Sequence, residues 1–348
     1  MKNTQTLLSV ANLKKYFPIG KGFFGRGKQL LRANDSVSFE VKKGETFSLV
    51  GESGCGKSTL GRAVLQLERP TDGSVTYYGG GHTEGVELTK LSDKQLRPLR
   101  KELQMIFQDP YSSLDPKMTV GQIIEEGVIT HGFFKRKTPQ LREYILQIMK
   151  NCGLQPHMLY RYPHQFSGGQ RQRVCIARAL AVKPKFIVCD ECVSALDVSI
   201  QSQILNLLSD LKEKEGLTYL FISHDLSVVR HVSDRIAVMY LGEIVETGET
   251  EALFKDPRHP YTIALLSAMP SDKKTERILL SGNMPSPVTP PSGCKFHTRC
   301  FMAQEICKKA IPPKAPVGEG RWCACHFAQM RPCEKRKIAL GKWKGAEE

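Results

Sequence analysis

The stretch Gly51-Glu52-Ser53-Gly54-Cys55-Gly56-Lys57-Ser58-Thr59 constrains this chain more than any other. It fits the pattern G-x-x-x-x-G-K-[ST] in full. The run Glu45–Val50 before it reads as a buried strand. Lys57–Leu67 after it carries Leu60, Val64 and Leu67 at helical spacing and reads as a helix. Strand, glycine-rich turn and helix in that order call for an α/β fold. The glycines let the backbone curl so that several N–H groups point at one anion, and the helix N-terminus adds partial positive charge. Ser53, Gly54, Cys55, Gly56, Lys57, Ser58 and Thr59 are therefore expected to cradle phosphates. Lys57 would reach the outer phosphates and the Ser58 hydroxyl would ligate Mg²⁺.

A second segment supplies what phosphoryl transfer needs. Phe186-Ile187-Val188-Cys189-Asp190-Glu191 is four apolar residues followed by two acids. A central parallel strand is buried on both faces, hence the apolar run, and its C-terminal end opens at the ligand crevice. Asp190 is placed to hold Mg²⁺ and Glu191 to orient and deprotonate an attacking water. Leu7–Val10, Ser36–Val41, Ser74–Tyr78, Leu103–Phe107 and Thr218–Ser223 read as further strands. Arg235–Leu241 and Ile244–Thr247 read as a closing hairpin. The glycine-rich, basic stretch 20–27 is expected to be a hairpin tip. Residues 119–165 change to helical periodicity with few strand signals, an inserted helical subdomain spanning about 109–170. Arg171–Ala181, Val198–Lys212 and Tyr261–Ala268 read as helices.

Phe166-Ser167-Gly168-Gly169-Gln170 offers another N–H-rich anion site at a helix start. Placed just before the Asp190-Glu191 strand, it resembles the signature motif of ABC ATPases. The other motifs follow in the order of that superfamily. Gln108 resembles the Q-loop glutamine, a metal ligand and catalytic residue. Ser194-Ala195-Leu196-Asp197 resembles the D-loop, and His224 the switch histidine. Tyr16 resembles the aromatic residue that stacks on adenine, with Phe17 as the alternative. The resemblance implies two such units sandwiching two ATP molecules. Ser167, Gly168, Gly169 and Gln170 of one chain would then face the γ-phosphate held by the other. One ATPase unit per chain implies a dimer.

A narrower resemblance covers most of the chain. Residues 51–62, the segment Phe107–Pro116, the segment Ser194–Gln201 and His259-Pro260-Tyr261-Thr262 are similar to the ATP-binding subunits of oligopeptide/dipeptide ABC importers. The start Leu13-Lys14-Lys15-Tyr16-Phe17-Pro18 and Cys55 resemble the F-type subunit. This implies an ATP-hydrolysing subunit that drives peptide import. It also implies a paralogous ATPase partner in a heterodimer, two integral-membrane permease subunits, and an extracytoplasmic solute-binding protein acting indirectly. One departure is Glu191-Cys192, where the family has Glu-Pro. Neighbouring readings are an importer of nickel or another solute, and a soluble ABC ATPase acting on nucleic acid. The second lacks a coiled-coil arm or a second ATPase unit, so no nucleic-acid partner is expected.

Composition adds the remainder. No run of 18 apolar residues occurs, so the chain does not span a bilayer as a helix. The polar start is not a signal peptide. The expected place is the cytoplasmic face of the inner membrane, as a peripheral protein. The net charge is +15. Six basic residues and no acidic one lie between Lys14 and Arg32, and twelve basic against five acidic residues lie from Ser292 onward. Six of the eleven cysteines, Cys294, Cys300, Cys307, Cys323, Cys325 and Cys333, crowd the tail. In a reducing cytosol that pattern calls for a metal site rather than disulfides. The spacings are uneven and longer than zinc knuckles, and fit thiolates wrapped round an iron–sulfur cluster. The family resemblance implies a [4Fe–4S] cluster on Cys294, Cys300, Cys307 and Cys325, with Cys323 as rival fourth ligand and zinc as rival metal. A shift to proline-rich sequence places a boundary at residue 257, giving an ATPase domain at 1–256 and a small cysteine-rich domain at 257–348. The thiols are expected to be structural, with ATP binding independent of them.

Overall fold

The computed structural model describes residues 5–20, 29–269 and 276–341. The proposed hairpin tip at 21–27 lies outside them. In chain order the strands are β1 (Thr6–Ile19), β2 (Gln29–Lys42), β3 (Thr46–Val50), β4 (Asp72–Tyr77), β5 (Val86–Glu87), β6 (Leu103–Ile106), β7 (Phe186–Asp190), β8 (Thr218–Ser223), β9 (Arg235–Tyr240), β10 (Glu243–Glu249), β11 (Lys314–Gly318) and β12 (Arg321–Ala324). The helices are α1 (Lys57–Val64), α2 (Asp93–Leu96), α3 (Val120–Thr130), α4 (Pro139–Asn151), α5 (Gly168–Leu180), α6 (Val198–Glu215), α7 (Leu226–Val232), α8 (Thr250–Lys255), α9 (Pro260–Ser267), α10 (Glu305–Lys309) and α11 (Pro332–Ala339). None of them is long and apolar enough to cross a membrane. The described chain divides into two compact units, each drawn from three segments.

The first unit comprises Met1–Ser9, Glu40–Thr46 and Val75–Ile222. Its centre is three parallel strands, β6–β7–β8, with Leu103 opposite Phe186 and Phe186 opposite Thr218. Every residue of β7 is buried, as its apolar run requires. Between β6 and β7 the chain is helical. Thr119 and Thr138 cap α3 and α4 by accepting from Gln122 N and Leu141 N. The buried stripes Ile123, Ile124, Val128 and Leu141, Ile145, Ile148, Met149 form their inner faces.

The second unit comprises Val10–Phe39, Phe47–Ser74 and Ser223–Glu348. Strand β3 pairs parallel with β9, and β9 turns through Leu241-Gly242 into antiparallel β10. The tail extends this layer. β12 pairs with β10, placing Cys323 opposite Glu246, and β11 pairs with β12. Beside it Ile263, Ala264 and Ile278 are buried against Leu280, Phe301, Ala339 and Leu340.

Two local expectations are corrected. α1 ends at Val64, three residues before Leu67. There Gln66 takes a left-handed φ of 56°, which closes the helix. α5 begins at Gly168 rather than at Arg171, because Ser167 is its N-cap.

Candidate ATPase site

The phosphate loop lies in the second unit. Gly56 has φ 104°, and a Cβ there would stand 2.1 Å from the Ala33 carbonyl oxygen, so only glycine fits. Asn34 Nδ2 donates to Gly56 O at 3.0 Å, and Gly242 N in the β9–β10 turn donates to Cys55 O at 3.0 Å. The loop is thus held by one side-chain amide and one backbone N–H from outside it. Lys57 is 4% exposed, and its ammonium donates to Gly51 O at 2.8 Å and Glu52 O at 3.0 Å. Cys55 is buried and burial pushes its thiol above the ordinary range, so it contributes backbone rather than a reactive sulfur. Ser53 and Gly54 are exposed; Ser58 and Thr59 open α1 and are half-buried.

Two contacts to this loop had no sequence signal. Arg299 grips Glu52 with both guanidinium nitrogens, at 2.8 and 3.1 Å. Glu52 N donates to Tyr261 Oη at 2.8 Å. The partners are more than 200 residues apart, and neither shows in periodicity or spacing. Tyr16, in β1, donates its hydroxyl to Asp35, and Arg32 lies 5.9 Å from its ring. Burial and that carboxylate together push Tyr16 up to about 12.

The acidic pair lies in the first unit. Asp190 ends β7 and is 1% exposed. Glu191 takes a left-handed φ of 45°, unusual for this side chain, and its N–H donates to Ile222 O at 3.0 Å. That turn lifts the Glu191 carboxylate off the strand, where Gln108 Nε2 donates to it at 2.9 Å. Gln108 and Glu191, 83 residues apart, are thus brought together. The departure at Cys192 is accommodated inside the unit. Cys192 is buried, and its thiol is hydrogen-bonded to that of Cys189, which with burial holds the Cys189 thiol well above its ordinary range.

The signature segment lies in the same unit. Ser167 Oγ accepts from Gln170 N at 3.3 Å, and Gln170 Oε1 accepts from Ser167 N at 3.1 Å. This reciprocal box opens α5. Ser167 and Gly168 are exposed, while Gly169 is buried with Ile200 where its Cβ would be. Asp197 caps α6 by accepting from Ile200 N at 3.0 Å, which holds its carboxyl below the usual range. His224 follows β8 in the second unit and is exposed.

The tail thiols separate into two groups. Cys294, Cys300, Cys307 and Cys325 line one small cavity together with His297 and His326. Cys323 does not; it is fully buried in β12. Burial pushes Cys294 up to about 11 and Cys300 up to about 12, and the neighbouring thiols add to both shifts. Phe327 N donates to Cys325 Sγ at 3.4 Å. Among the described residues, however, no three His, Cys, Asp or Glu side chains are grouped as ligands of a single metal ion.

Comparison with known proteins decides the family. Residues 34–194 match the ABC transporter model and residues 245–307 the oligopeptide/dipeptide transporter C-terminal region. The chain is 49% identical to the oligopeptide transport ATP-binding protein AppF of Bacillus subtilis, over 93% of this chain and 98% of that one. This chain belongs to the ATP-binding subunits of oligopeptide/dipeptide ABC transporters. It is likewise 47% identical to the dipeptide transport ATP-binding protein DppF of Escherichia coli, over 92% of this chain and 94% of that one. The ATP-binding cassette MJ0796, solved as a dimer in a post-hydrolysis state with ADP and Pi, superposes with a TM-score of 0.61 at 29% identity. The match covers 70% of this chain and 99% of that one.

Proposed function

We propose that this chain is the ATP-hydrolysing subunit that energises oligopeptide or dipeptide import through membrane permease subunits. The observation that carries this reading is similarity along nearly the whole length to peptide-transport ATP-binding proteins, including the C-terminal region specific to that family. The chain is an ABC ATPase, and its residues take these roles. Lys57 and the loop N–H groups hold the outer phosphates. Ser58, Asp190 and Gln108 would hold Mg²⁺, which when bound neutralises phosphate charge. Glu191 takes the proton of the attacking water, with Gln108 orienting its carboxylate. Tyr16 stacks on adenine, and His224 and Asp197 complete the site across the dimer. Ser167 and Gly168, being exposed, are free to face the nucleotide of a partner subunit. That partner is a paralogous ATPase, and the pair sits at the cytoplasmic face through its permeases. Functionally the chain divides at residue 257, with nucleotide chemistry before it and the thiols after it.

The tail would hold a [4Fe–4S] cluster on Cys294, Cys300, Cys307 and Cys325. Their convergence on one cavity and the N–H bond to the Cys325 sulfur support it.

Glu191→Gln tests the central assignment. In the assembled transporter it should keep ATP affinity within about twofold and lower hydrolysis and peptide uptake by about 10²-fold or more. ATPase turnover and uptake at wild-type rate would remove Glu191 from its role.

A further inference from the structure

The loop Cys294-Lys295-Phe296-His297-Thr298-Arg299-Cys300 reaches from the thiol cavity to the phosphate loop. Arg299 is 9% exposed and meets Glu52, the second residue of that loop, in a two-pronged pair at 2.8 and 3.1 Å. Lys295, four residues earlier, pairs with Asp35 and Glu243, each at 2.9 Å, and donates to Leu241 O. Phe296 between them is 1% exposed, with ring centroids of Tyr240 and Tyr261 at 5.1 and 5.4 Å. Tyr261 in turn accepts from Glu52 N. Three ion pairs and an aromatic anchor therefore fix one short segment: the Arg299 pair ties it to the phosphate loop, and the two Lys295 pairs tie it to β2 and β10.

We infer that Arg299 is a positioning residue for ATP: it neutralises Glu52 and holds the phosphate loop in its binding shape. The physical reason is charge. Glu52 places a carboxylate inside a loop whose task is to bind a polyphosphate anion. In a partly desolvated site an unpaired carboxylate repels that anion and pulls the backbone toward other donors. A guanidinium fork cancels the charge and sets the orientation together, which a single ammonium does less well. The inference rests on the phosphate loop being the ATP site, and not on what the thiols hold.

The test is binding of a fluorescent ATP analogue to the full chain, with KM and kcat for ATP in the assembled transporter. Lys57→Ala serves as the control that the phosphate loop is the site being measured. Arg299→Ala should weaken analogue binding and raise KM by about tenfold, with kcat within about twofold. Removing the stranded charge, in Arg299→Ala with Glu52→Gln, should recover most of that loss. Arg299→Lys, which keeps the charge and the stem, should lose about threefold and stands in for the alanine variant if that one does not fold. Unchanged affinity in Arg299→Lys and Arg299→Ala overturns the inference. So does an Arg299→Ala loss that Glu52→Gln fails to relieve, since a merely structural residue would behave that way. Loss of binding in Lys57→Ala together with normal binding in the Arg299 variants separates failure of this inference from failure of the site itself.

Discussion

At Asp35 one carboxylate accepts from both Tyr16 Oη and Lys295 Nζ, with Arg32 3.9 Å away and Glu243 sharing the lysine. Burial works against the carboxylate, but the hydrogen bonds from Tyr16 and Lys295 outweigh it and hold its pKa below the ordinary value. A folded pKa below the unfolded one means stability that is present above about pH 4 and lost as pH falls through the folded value. Asp35→Asn should therefore lower unfolding free energy by about 1–2 kcal/mol at pH 7, and by less at pH 3. Urea denaturation at both pH values checks it, and a gap that does not narrow would mean that shape, not charge, is what the residue supplies. The candidate catalytic residues are legible one by one, because each belongs to a motif with its own local chemistry. Their pairings are less so. The resemblance assigns Gln108 and Glu191 roles in the same chemistry without pairing them, whereas Arg299 to Glu52 and Lys295 to Asp35 join residues 247 and 260 positions apart with no pattern to announce them.

Among elements, β8 has the bounds expected and β3 starts one residue later than expected, since a buried strand is a short apolar run between turn signals and little else fits it. β11 and β12 went unforeseen for the converse reason. Lys314-Ala315-Pro316-Val317-Gly318 alternates half-buried and exposed residues with no apolar run, and it becomes a strand by adding to β12, which itself adds to β10. Pairing of that kind is decided in three dimensions, not locally. α5 starts three residues before Arg171 although Gly168 and Gly169 are poor helix formers. The Ser167–Gln170 box overrides that propensity, and it also gives Ser167 two roles that can be separated. Ser167→Ala should cost about 1 kcal/mol of stability by loss of the cap. Ser167→Asp keeps a capping acceptor and suits the helix N-terminus, so its Tm should stay near wild type. It nevertheless puts a negative charge where a partner's γ-phosphate is expected, and ATPase activity of the assembled transporter should fall by about tenfold or more. An aspartate variant with normal Tm and normal activity would take Ser167 out of the composite site.

For the molecule as a whole, the point at issue is what the eleven cysteines are for. Cys55, Cys152, Cys175, Cys189 and Cys192 are buried and belong to the packing around the ATPase motifs. Of the six in the tail, four converge on one cavity, and that selection was legible in the uneven spacing together with the family resemblance. The rivalry between Cys323 and Cys325 was not, because the two are separated by a single residue. In the structure Cys323 pairs into β12 opposite Glu246, while Cys325 lies beyond the strand end and lines the cavity, which favours Cys325. The Cys294, Cys300 and Cys325 thiols, which desolvation pushes above their ordinary range, would stay protonated unless a cationic centre stabilised the thiolates. Anaerobically purified protein should therefore contain about four iron and four sulfide per chain and little zinc. Cys294→Ser, Cys300→Ser, Cys307→Ser and Cys325→Ser should each lose the iron, and Cys323→Ser should keep it. Stoichiometric zinc without iron would overturn the cluster, and iron kept in Cys325→Ser but lost in Cys323→Ser would overturn the strand argument. The loop from Cys294 to Cys300 also carries the Arg299 clamp on Glu52, so emptying the thiol site should weaken ATP binding as well, contrary to the independence expected from sequence. Measuring analogue affinity on the same cysteine variants shows whether the two effects travel together: iron loss with unchanged affinity would mean that the Lys295 and Arg299 pairs hold the loop without help from its thiol ends.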